Sequence, residues 1–188
     1  MKVSVVIPAY NCGDWVEWNL NSALRQEYDN YDIVYVDDCS TDNTLEIIES
    51  YSSQSRNVEV IALSQENKGP GAARNLGLQR ASSKYIAFLD SDDLWKKDKL
   101  KIQISFMEKN KQVFSHTSYN VINSKNEIIY SRVAKPIIKF EELIKSCDIG
   151  LSTVVLNTNF IKKNNFYFPK IKTKEDFVLW LKIAKKIK

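Results

Sequence analysis

Four short apolar runs, each separated from the next by a segment with helical spacing, restrict the fold of this chain more than any other feature. The runs are Val3 to Ile7, Ile33 to Val36, Val58 to Leu63 and Tyr85 to Leu89. Continuous apolar, often β-branched runs of this length are typical of strands buried on both faces of a parallel sheet. The alternation therefore predicts an α/β fold with a Rossmann-like, mainly parallel central sheet flanked by helices on both faces.

The segments between the runs carry helix signals. In the first, Val16 and Leu20 recur on one helix face, and Asp14 can supply the N-cap. Ser40 or Thr41 can cap the second helix, and a Gly-rich turn leads into the third. Because parallel strands end at one edge of a sheet, ligands are expected at their carboxyl ends.

The pattern is weaker after residue 93. It predicts a helix over Leu100 to Met107, strands near Val113 and Ile128, a helix from Phe140 to Cys147 and a strand from Ser152 to Leu156. A last helix is predicted from about Glu175, with Phe177, Leu181 and Ala184 on one face. With 188 residues and no clear linker, the chain is predicted to form one domain.

Charge and cysteine content exclude several classes of protein. Lys and Arg number 27 against 23 Asp and Glu, a scattered excess that does not indicate a nucleic-acid binder. The Lys-rich end from Lys182 to Lys188 could lie near phosphates or a membrane surface, although a solvated helix face is the simpler interpretation. Three widely spaced cysteines suit a reducing cytoplasm, and no apolar run reaches the roughly 18 residues of a membrane span. A soluble or at most peripheral protein is expected.

The most informative polar feature is Asp90-Ser91-Asp92-Asp93, which follows directly on the fourth apolar run. Carboxylates this close repel one another by on the order of 1 kcal/mol each, so a bound cation is a natural compensation. Carboxylate oxygens suit Mg²⁺ or Mn²⁺, with water and ligand phosphate completing the shell. The alternative is that these aspartates cap a helix beginning near Leu94.

The sequence allows two roles for each of two further acidic pairs. Asp37 and Asp38 end the second strand at the same edge of the sheet, where they can accept hydrogen bonds from a base or ribose, or serve the turn that follows. Glu175-Asp176 begins the last helix, where one carboxylate could act as a general base or both could simply favour the helix N-terminus.

The segment from Gly69 to Asn75 places flexible backbone and an arginine at a helix start. Backbone amides around Gly71 and the guanidinium of Arg74 could face a phosphate there. Arg74 stands where a dinucleotide-binding fingerprint needs its third glycine, so the segment is not that motif.

Five motifs in order resemble those of inverting family 2 glycosyltransferases with the A-type nucleotide-sugar-binding fold. They are Pro8-Ala-Tyr-Asn11, Val36-Asp-Asp-Cys-Ser-Thr-Asp42, Gly69-x-Gly-Ala-Ala-Arg-Asn75, Leu89-Asp-Ser-Asp-Asp-Leu-Trp95 and Glu175-Asp176. Each motif alone is modest, but together they cover nearly the whole chain. Their order and spacing make the resemblance specific.

The resemblance implies a role for each motif. The loop Pro8, Ala9, Tyr10, Asn11 and the carboxylate of Asp38 would hold the nucleotide base, with Asp37 nearby. Asp90 and Asp92, separated by Ser91, would be the metal motif, in which Asp93 can share. Gly71 and Arg74 would lie beside the donor, and Asp176 would be the catalytic base.

The resemblance also implies the reaction. A sugar would pass with inversion from a nucleotide-diphosphate sugar, with a UDP-sugar favoured, to a hydroxyl of a glycan or lipid-linked acceptor in bacterial surface polysaccharide synthesis. Residues 1–95 would bind the nucleotide sugar and residues 96–188 would form the acceptor side of one catalytic domain. Mn²⁺ or Mg²⁺ would be the cofactor, in the cytoplasm or at the inner face of the membrane. Many relatives continue beyond the Glu-Asp helix, so a truncated acceptor side is also expected.

Two other functions compete with transfer. A non-catalytic nucleotide-sugar-binding remnant would keep Asp38 and Asp92 but show no turnover, and the presence of Asp176 argues against it. A phosphohydrolase could use Asp90 as nucleophile, since Asp90-Ser91-Asp92 superficially fits the start of a haloacid-dehalogenase motif. That motif expects Thr or Val where Leu94 stands.

Overall fold

The computed structural model describes residues 2–54 and 57–187. Its first half alternates strands and helices as β1 (Val3–Ala9), α1 (Gly13–Leu24), β2 (Tyr31–Asp37), α2 (Thr44–Gln54), β3 (Glu59–Ser64), α3 (Pro70–Arg80) and β4 (Tyr85–Phe88). The second half contains α4 (Lys99–Asn110), β5 (Phe114–Ser115), β6 (Tyr119–Ile122), β7 (Ile128–Arg132), α5 (Phe140–Leu143), a 3₁₀ turn (Leu151–Thr153), β8 (Val155–Asn157), α6 (Thr158–Lys163) and α7 (Glu175–Lys186).

Six strands form one sheet in the order β3-β2-β1-β4-β8-β5. The first four are mutually parallel, with Val3 of β1 opposite Tyr31 of β2 and Tyr85 of β4. Strand β8 runs antiparallel to β4 and β5, while β6 and β7 form a separate hairpin. The predicted mainly parallel α/β fold is confirmed, and the carboxyl end of β1 lies between those of β2 and β4.

Helices cover both faces of the sheet. On one face, strand residues such as Val5 and Ile33 pack with α1, α2 and α4 in a single buried cluster. On the other face, Val6, Ile86 and Phe88 pack with α3, α6 and α7. Alternate residues of each strand therefore serve opposite layers, as a strand buried on both faces requires. Among the described residues no helix is long and apolar enough to cross a membrane.

The contact between α3 and β1 depends on a glycine. A Cβ atom on Gly77 would lie 2.4 Å from Cγ1 of Val6, a β-branched side chain that is fully buried. Gly77→Ala should therefore destabilise the protein by about 1 to 3 kcal/mol through overpacking, although alanine is the better helix former. Urea unfolding checks this, with Gln79→Ala at an exposed position of α3 as control. A Gly77→Ala protein as stable as the parent would contradict the close contact.

Several boundary predictions were wrong. The first strand continues beyond the predicted run of Val3 to Ile7, because Pro8 lies inside β1, opposite Val36. Asp14 does not cap α1, whose N-cap is Cys12, because a neighbouring loop satisfies the first amides: Cys12 N donates to Thr44 Oγ1 and Gly13 N to Asp42 Oδ2. Helix α2 begins at Thr44, later than a cap at Ser40 or Thr41 would place it, and Thr44 N donates to Asp42 Oδ1.

The later elements differ more. The helix predicted from Phe140 to Cys147 is a single turn, and the strand predicted from Ser152 begins only at Val155 after the 3₁₀ turn. The buried face of α7 consists of Leu179, Trp180 and Ile183, whereas Phe177, Leu181 and Ala184 are only partly buried. The structure also contains β6 and α6, which were not predicted from the sequence. Of the Lys-rich end, Lys188 lies outside the described residues.

Candidate functional site

The loops that follow β1 and β2 are tied together at the carboxyl edge of the sheet. Asn11 N donates to Ser40 Oγ at 3.0 Å, and Asn11 Oδ1 accepts from Thr41 N at 2.8 Å. Asn11 has a left-handed backbone with φ of 47°, a conformation that asparagine tolerates. Pro8 and Ala9 are buried strand residues, so Tyr10 and Asn11 are the members of the predicted base-binding loop that reach solvent.

Asp37 and Asp38 are both buried, with exposures of 2% and 3%. The carboxylate of Asp37 accepts from the backbone N and the Oγ of Ser40, which is the turn role rather than a ligand contact. Asp38 accepts from Gln65 Nε2 at 2.7 Å, Lys68 N at 2.9 Å and Gly69 N at 2.8 Å. Asp38 thus shapes the loop before α3, and it keeps acceptor capacity for one further donor.

The acidic run Asp90 to Asp93 forms a turn and does not cap a helix. Asp93 N donates to Asp90 O at 3.0 Å, and the next helix, α4, begins only at Lys99. The capping alternative is therefore wrong. Ser152 lies against the turn, because its Oγ accepts from Asp90 N at 3.0 Å and donates to Asp93 Oδ2 at 2.5 Å. The side chain of Asp92 is exposed and makes no hydrogen bond or ion pair with any residue in the described ranges.

Arg74 joins two of the predicted acidic motifs. Its NH2 lies 2.7 Å from Asp90 Oδ1 and its NH1 lies 2.6 Å from Glu175 Oε1. The side chains of Arg74 and Glu175 are 8% and 9% exposed, against 30% for Asp90. The guanidinium also sits 5.6 Å from the ring centre of Phe168. Arg74 is therefore the buried partner of two carboxylates. It could influence a bound donor only indirectly, through its ion pair with Asp90.

Gly71 is explained by packing. A Cβ atom at this position would lie 3.1 Å from Cγ of Glu175 and 3.6 Å from Cβ of Phe168. Gly71 is buried, and its place in α3 lets that helix approach the start of α7 closely. The structure thus places Gly71 against Glu175 rather than in an open position toward a phosphate.

Asp176 lies within electrostatic range of the acidic turn. Burial raises the pKa of Asp90, the Arg74 ion pair opposes the rise, and the negative charges of Asp92 and Asp176 add to it. Desolvation around its carboxyl group also raises the pKa of Asp93, although that residue as a whole is exposed. Asp176 is half-buried, and its side chain makes no hydrogen bond or ion pair within residues 2–54 and 57–187. No described side chain therefore competes with a ligand for its carboxylate.

The acidic turn fits a metal that is bound together with a ligand. In the part of the chain that the structure describes, no group of three or more His, Cys, Asp or Glu side chains could hold an ion alone. Mg²⁺ and similar ions commonly take one or two carboxylates and complete the shell with water and substrate phosphates. Asp92, the unpaired carboxylate beside Asp90 and Asp93, suits that kind of shell.

Two residues that hold the turn were missed by sequence analysis. Asn19 of α1 donates from Nδ2 to both Asp90 O and Asp93 O, and Ser152 makes the contacts given above. A signal for Asn19 was present, since this polar residue interrupts the buried stripe of Val16, Leu20 and Ala23. No sequence signal distinguishes Ser152, which lies 62 residues beyond Asp90.

Comparisons with known proteins show which family the chain resembles. The family model described as glycosyl transferase family 2 matches residues 4–168. An uncharacterized glycosyltransferase of Rickettsia felis is 42% identical over 188 residues, which are 98% of this chain and 30% of that protein. The Escherichia coli UDP-Glc:alpha-D-GlcNAc-diphosphoundecaprenol beta-1,3-glucosyltransferase WfgD is 40% identical over 97% of this chain and 70% of its own. The chain thus spans only about a third of the Rickettsia relative.

A solved structure is similar over nearly the whole chain. Staphylococcus aureus TarS 1–349, crystallised in complex with UDP-GlcNAc, superposes with a TM-score of 0.78 at 30% sequence identity. The superposition covers 95% of this chain and 52% of TarS 1–349. The similarity supports the A-type fold for this chain.

Proposed function

Because the chain belongs to glycosyl transferase family 2, we propose that it transfers a sugar with inversion from a UDP-sugar to a hydroxyl of a glycan or lipid-linked acceptor. The observation that carries this proposal is that Arg74 joins the two acidic motifs at one edge of the sheet, pairing with Asp90 of the acidic turn and with Glu175, the neighbour of Asp176. The negative charge of Asp176 is accordingly among the causes that raise the pKa of Asp90. An unpaired carboxylate near a turn that could hold a metal ion would supply a base for the acceptor hydroxyl and a charge-neutralising site for the diphosphate.

The donor would lie along the edge formed by the loops after β1 and β2. Tyr10, with half of its surface exposed, can stack on a base, and Asp38 has acceptor capacity for a base N–H. The UDP-Glc named for the Escherichia coli enzyme and the UDP-GlcNAc bound by TarS favour uridine over other bases. The sugar itself depends on pocket walls contributed by several loops.

Asp92 is the proposed direct ligand of Mn²⁺ or Mg²⁺. Its carboxylate is exposed and unpaired in the described ranges, whereas Asp90 is engaged by Arg74 and Asp93 by Ser152. Asp90 and Asp93 would then shape the turn and add negative potential. The bound ion would neutralise charge that builds up on the departing diphosphate.

Asp176 is the proposed base. Its carboxylate would accept the proton of the acceptor hydroxyl while that oxygen bonds to the anomeric carbon and the bond to the diphosphate oxygen breaks. Attack from the face opposite the diphosphate inverts the configuration. Glu175, the neighbouring acid, is turned inward to Arg74 and is not available for this step.

The acceptor side and the cellular location follow from the same proposal. Residues 1–95 would bind the donor, and residues 96–188 would face the acceptor. A lipid-linked acceptor such as the diphosphoundecaprenol named for the Escherichia coli relative would place the reaction at the cytoplasmic face of the membrane. The competing phosphohydrolase reading is disfavoured, because Asp90 would have to attack while held in an ion pair with Arg74.

Calorimetric titration of UDP and GDP tests the donor proposal. UDP should bind with Mn²⁺ present and lose its affinity when a chelator is added. Asp92→Ala should weaken this binding by about tenfold or more, since one ligand to the ion is lost. The matched control is Asp98→Ala, an acid of the same connecting segment that makes no side-chain cap contact. Equal metal dependence in the Asp92→Ala protein would move the metal site elsewhere.

A further inference from the structure

The acidic turn is held in shape by an amide that comes from another helix. Asn19 is 1% exposed and lies on the inner face of α1. Its Nδ2 donates to Asp90 O and to Asp93 O, both at 2.8 Å. The two carbonyls are the first and last of the turn, so one side chain closes the turn across its base.

The orientation of this amide is determined by its surroundings. The buried hydroxyl of Tyr35 in β2 donates to Asn19 Oδ1. Rotating the amide by half a turn would point its oxygen at two carbonyl oxygens, which cannot donate a hydrogen bond. The chain of contacts from Tyr35 through Asn19 to the turn therefore has a single satisfied arrangement, and it links β2, α1 and the end of β4.

The remaining contacts of the turn leave one carboxylate open. Ser152 engages Asp90 N and the Asp93 carboxylate, and Arg74 engages the Asp90 carboxylate. Because both ends of the turn are held, the backbone that carries the exposed Asp92 side chain has a defined conformation. Groups that orient a metal ligand typically change metal affinity about 10- to 100-fold when they are removed.

We propose that Asn19 is a positioning residue for the metal–diphosphate site, acting through the shape of the Asp90–Asp93 turn. The identity of the ligand in this inference rests on the proposed function, whereas the role of Asn19 in shaping the turn does not. Asn19 touches neither donor nor ion in this proposal. Its effect would be on the geometry with which Asp92 meets them.

Two substitutions test the role. Asn19→Asp keeps the size of the side chain but presents oxygens to the two carbonyls, and Asn19→Leu keeps a similar volume without adding charge. Both should weaken Mn²⁺-dependent UDP binding by about 10- to 100-fold in calorimetry. Both should also speed hydrogen exchange of two backbone amides. Asp90 N donates to Ser152 Oγ, and Asp93 N donates to Asp90 O within the turn.

Gln26→Leu is the matched control. Gln26 is 8% exposed, lies two residues beyond the end of the same helix and holds the segment after the acidic turn: its Nε2 donates to Lys96 O and its Oε1 accepts from Leu100 N. This variant should speed exchange at the Leu100 amide and leave the turn and the Mn²⁺-dependent affinity unchanged. Equal effects of the Gln26 and Asn19 variants at the turn would mean general destabilisation and would overturn the proposal.

The two readouts separate this inference from the proposed function. If the parent protein binds no UDP with Mn²⁺, the proposed function fails. Hydrogen exchange of the Asp90 and Asp93 amides is then the measurement that decides the role of Asn19. If folded Asn19 variants exchange and bind like the parent, the positioning role is rejected while the proposed function stands.

Discussion

Asp176→Asn is expected to lower kcat for sugar transfer by about 100- to 10,000-fold, the range typical of a lost general base. Asparagine has nearly the same size but cannot accept the proton of the acceptor hydroxyl. The side chain of Asp176 makes no hydrogen bond or ion pair in the described ranges, so its replacement should leave folding stability nearly unchanged. UDP affinity in the presence of Mn²⁺ should also be retained.

Transfer from UDP-sugars to a lipid-diphosphate acceptor, followed by product analysis, provides the measurement. Asp148→Asn is the control, because Asp148 and Asp176 both act electrostatically on Cys147, but Asp148 is paired with Arg132. Full activity in the Asp176→Asn protein would reject Asp176 as the base. Loss of activity in the Asp148→Asn protein alone would assign the role to Asp148 instead.

Arg74→Met is expected to destabilise the fold by about 3 to 5 kcal/mol, because removing one partner of a buried ion pair leaves uncompensated charge behind. Here two carboxylates, those of Asp90 and Glu175, would lose their cation together. The Asp90 side chain is 30% exposed, so water can relieve part of its cost. Glu175, at 9% exposure, would carry most of the loss.

Urea unfolding at neutral pH measures this effect, and a second substitution identifies its cause. In the double variant Arg74→Met with Glu175→Gln, the most buried unpaired charge is absent, so stability should recover by more than about 1 kcal/mol relative to Arg74→Met alone. A double variant no more stable than the single would show that lost packing against Phe168 dominates.

The parallel half of the fold could be predicted because its signals are local. A β-branched run such as Val3 to Ile7 specifies a doubly buried strand without knowledge of its partners, and the acids after β2 and β4 then fall at one edge. The antiparallel half offered weaker signals. In its hairpin, β7 is exposed along its whole length and β6 has only four residues, none of them fully buried, so burial imposes little pattern on their sequence. Helix α5 is too short for a helical period to appear.

Individual roles within the site depended on contacts between distant residues. The partner of Arg74 at Glu175 lies 101 residues away, and only this contact divides the Glu-Asp pair into an inward acid and a free one. Likewise, the sequence does not distinguish the role of Asp90 from that of Asp92. They differ in the structure because the Arg74 guanidinium of α3 pairs with Asp90. Asp37 illustrates the converse, since its turn with Ser40 was one of two local alternatives and the structure selects it.

The strand order itself accounts for the position of the site. From β1 the chain moves to β2 and β3 on one side, then returns to β4 on the other, so α1 and α3 leave the sheet on opposite faces. Connections diverge at such a topological switch point, and ligands of open α/β sheets commonly bind in a crevice outside the carboxyl ends of the strands there, which in this chain are those of β1 and β4. Such a crevice is set by the backbone topology, so the loops around it could vary to suit a different sugar while the place proposed for the diphosphate stays the same.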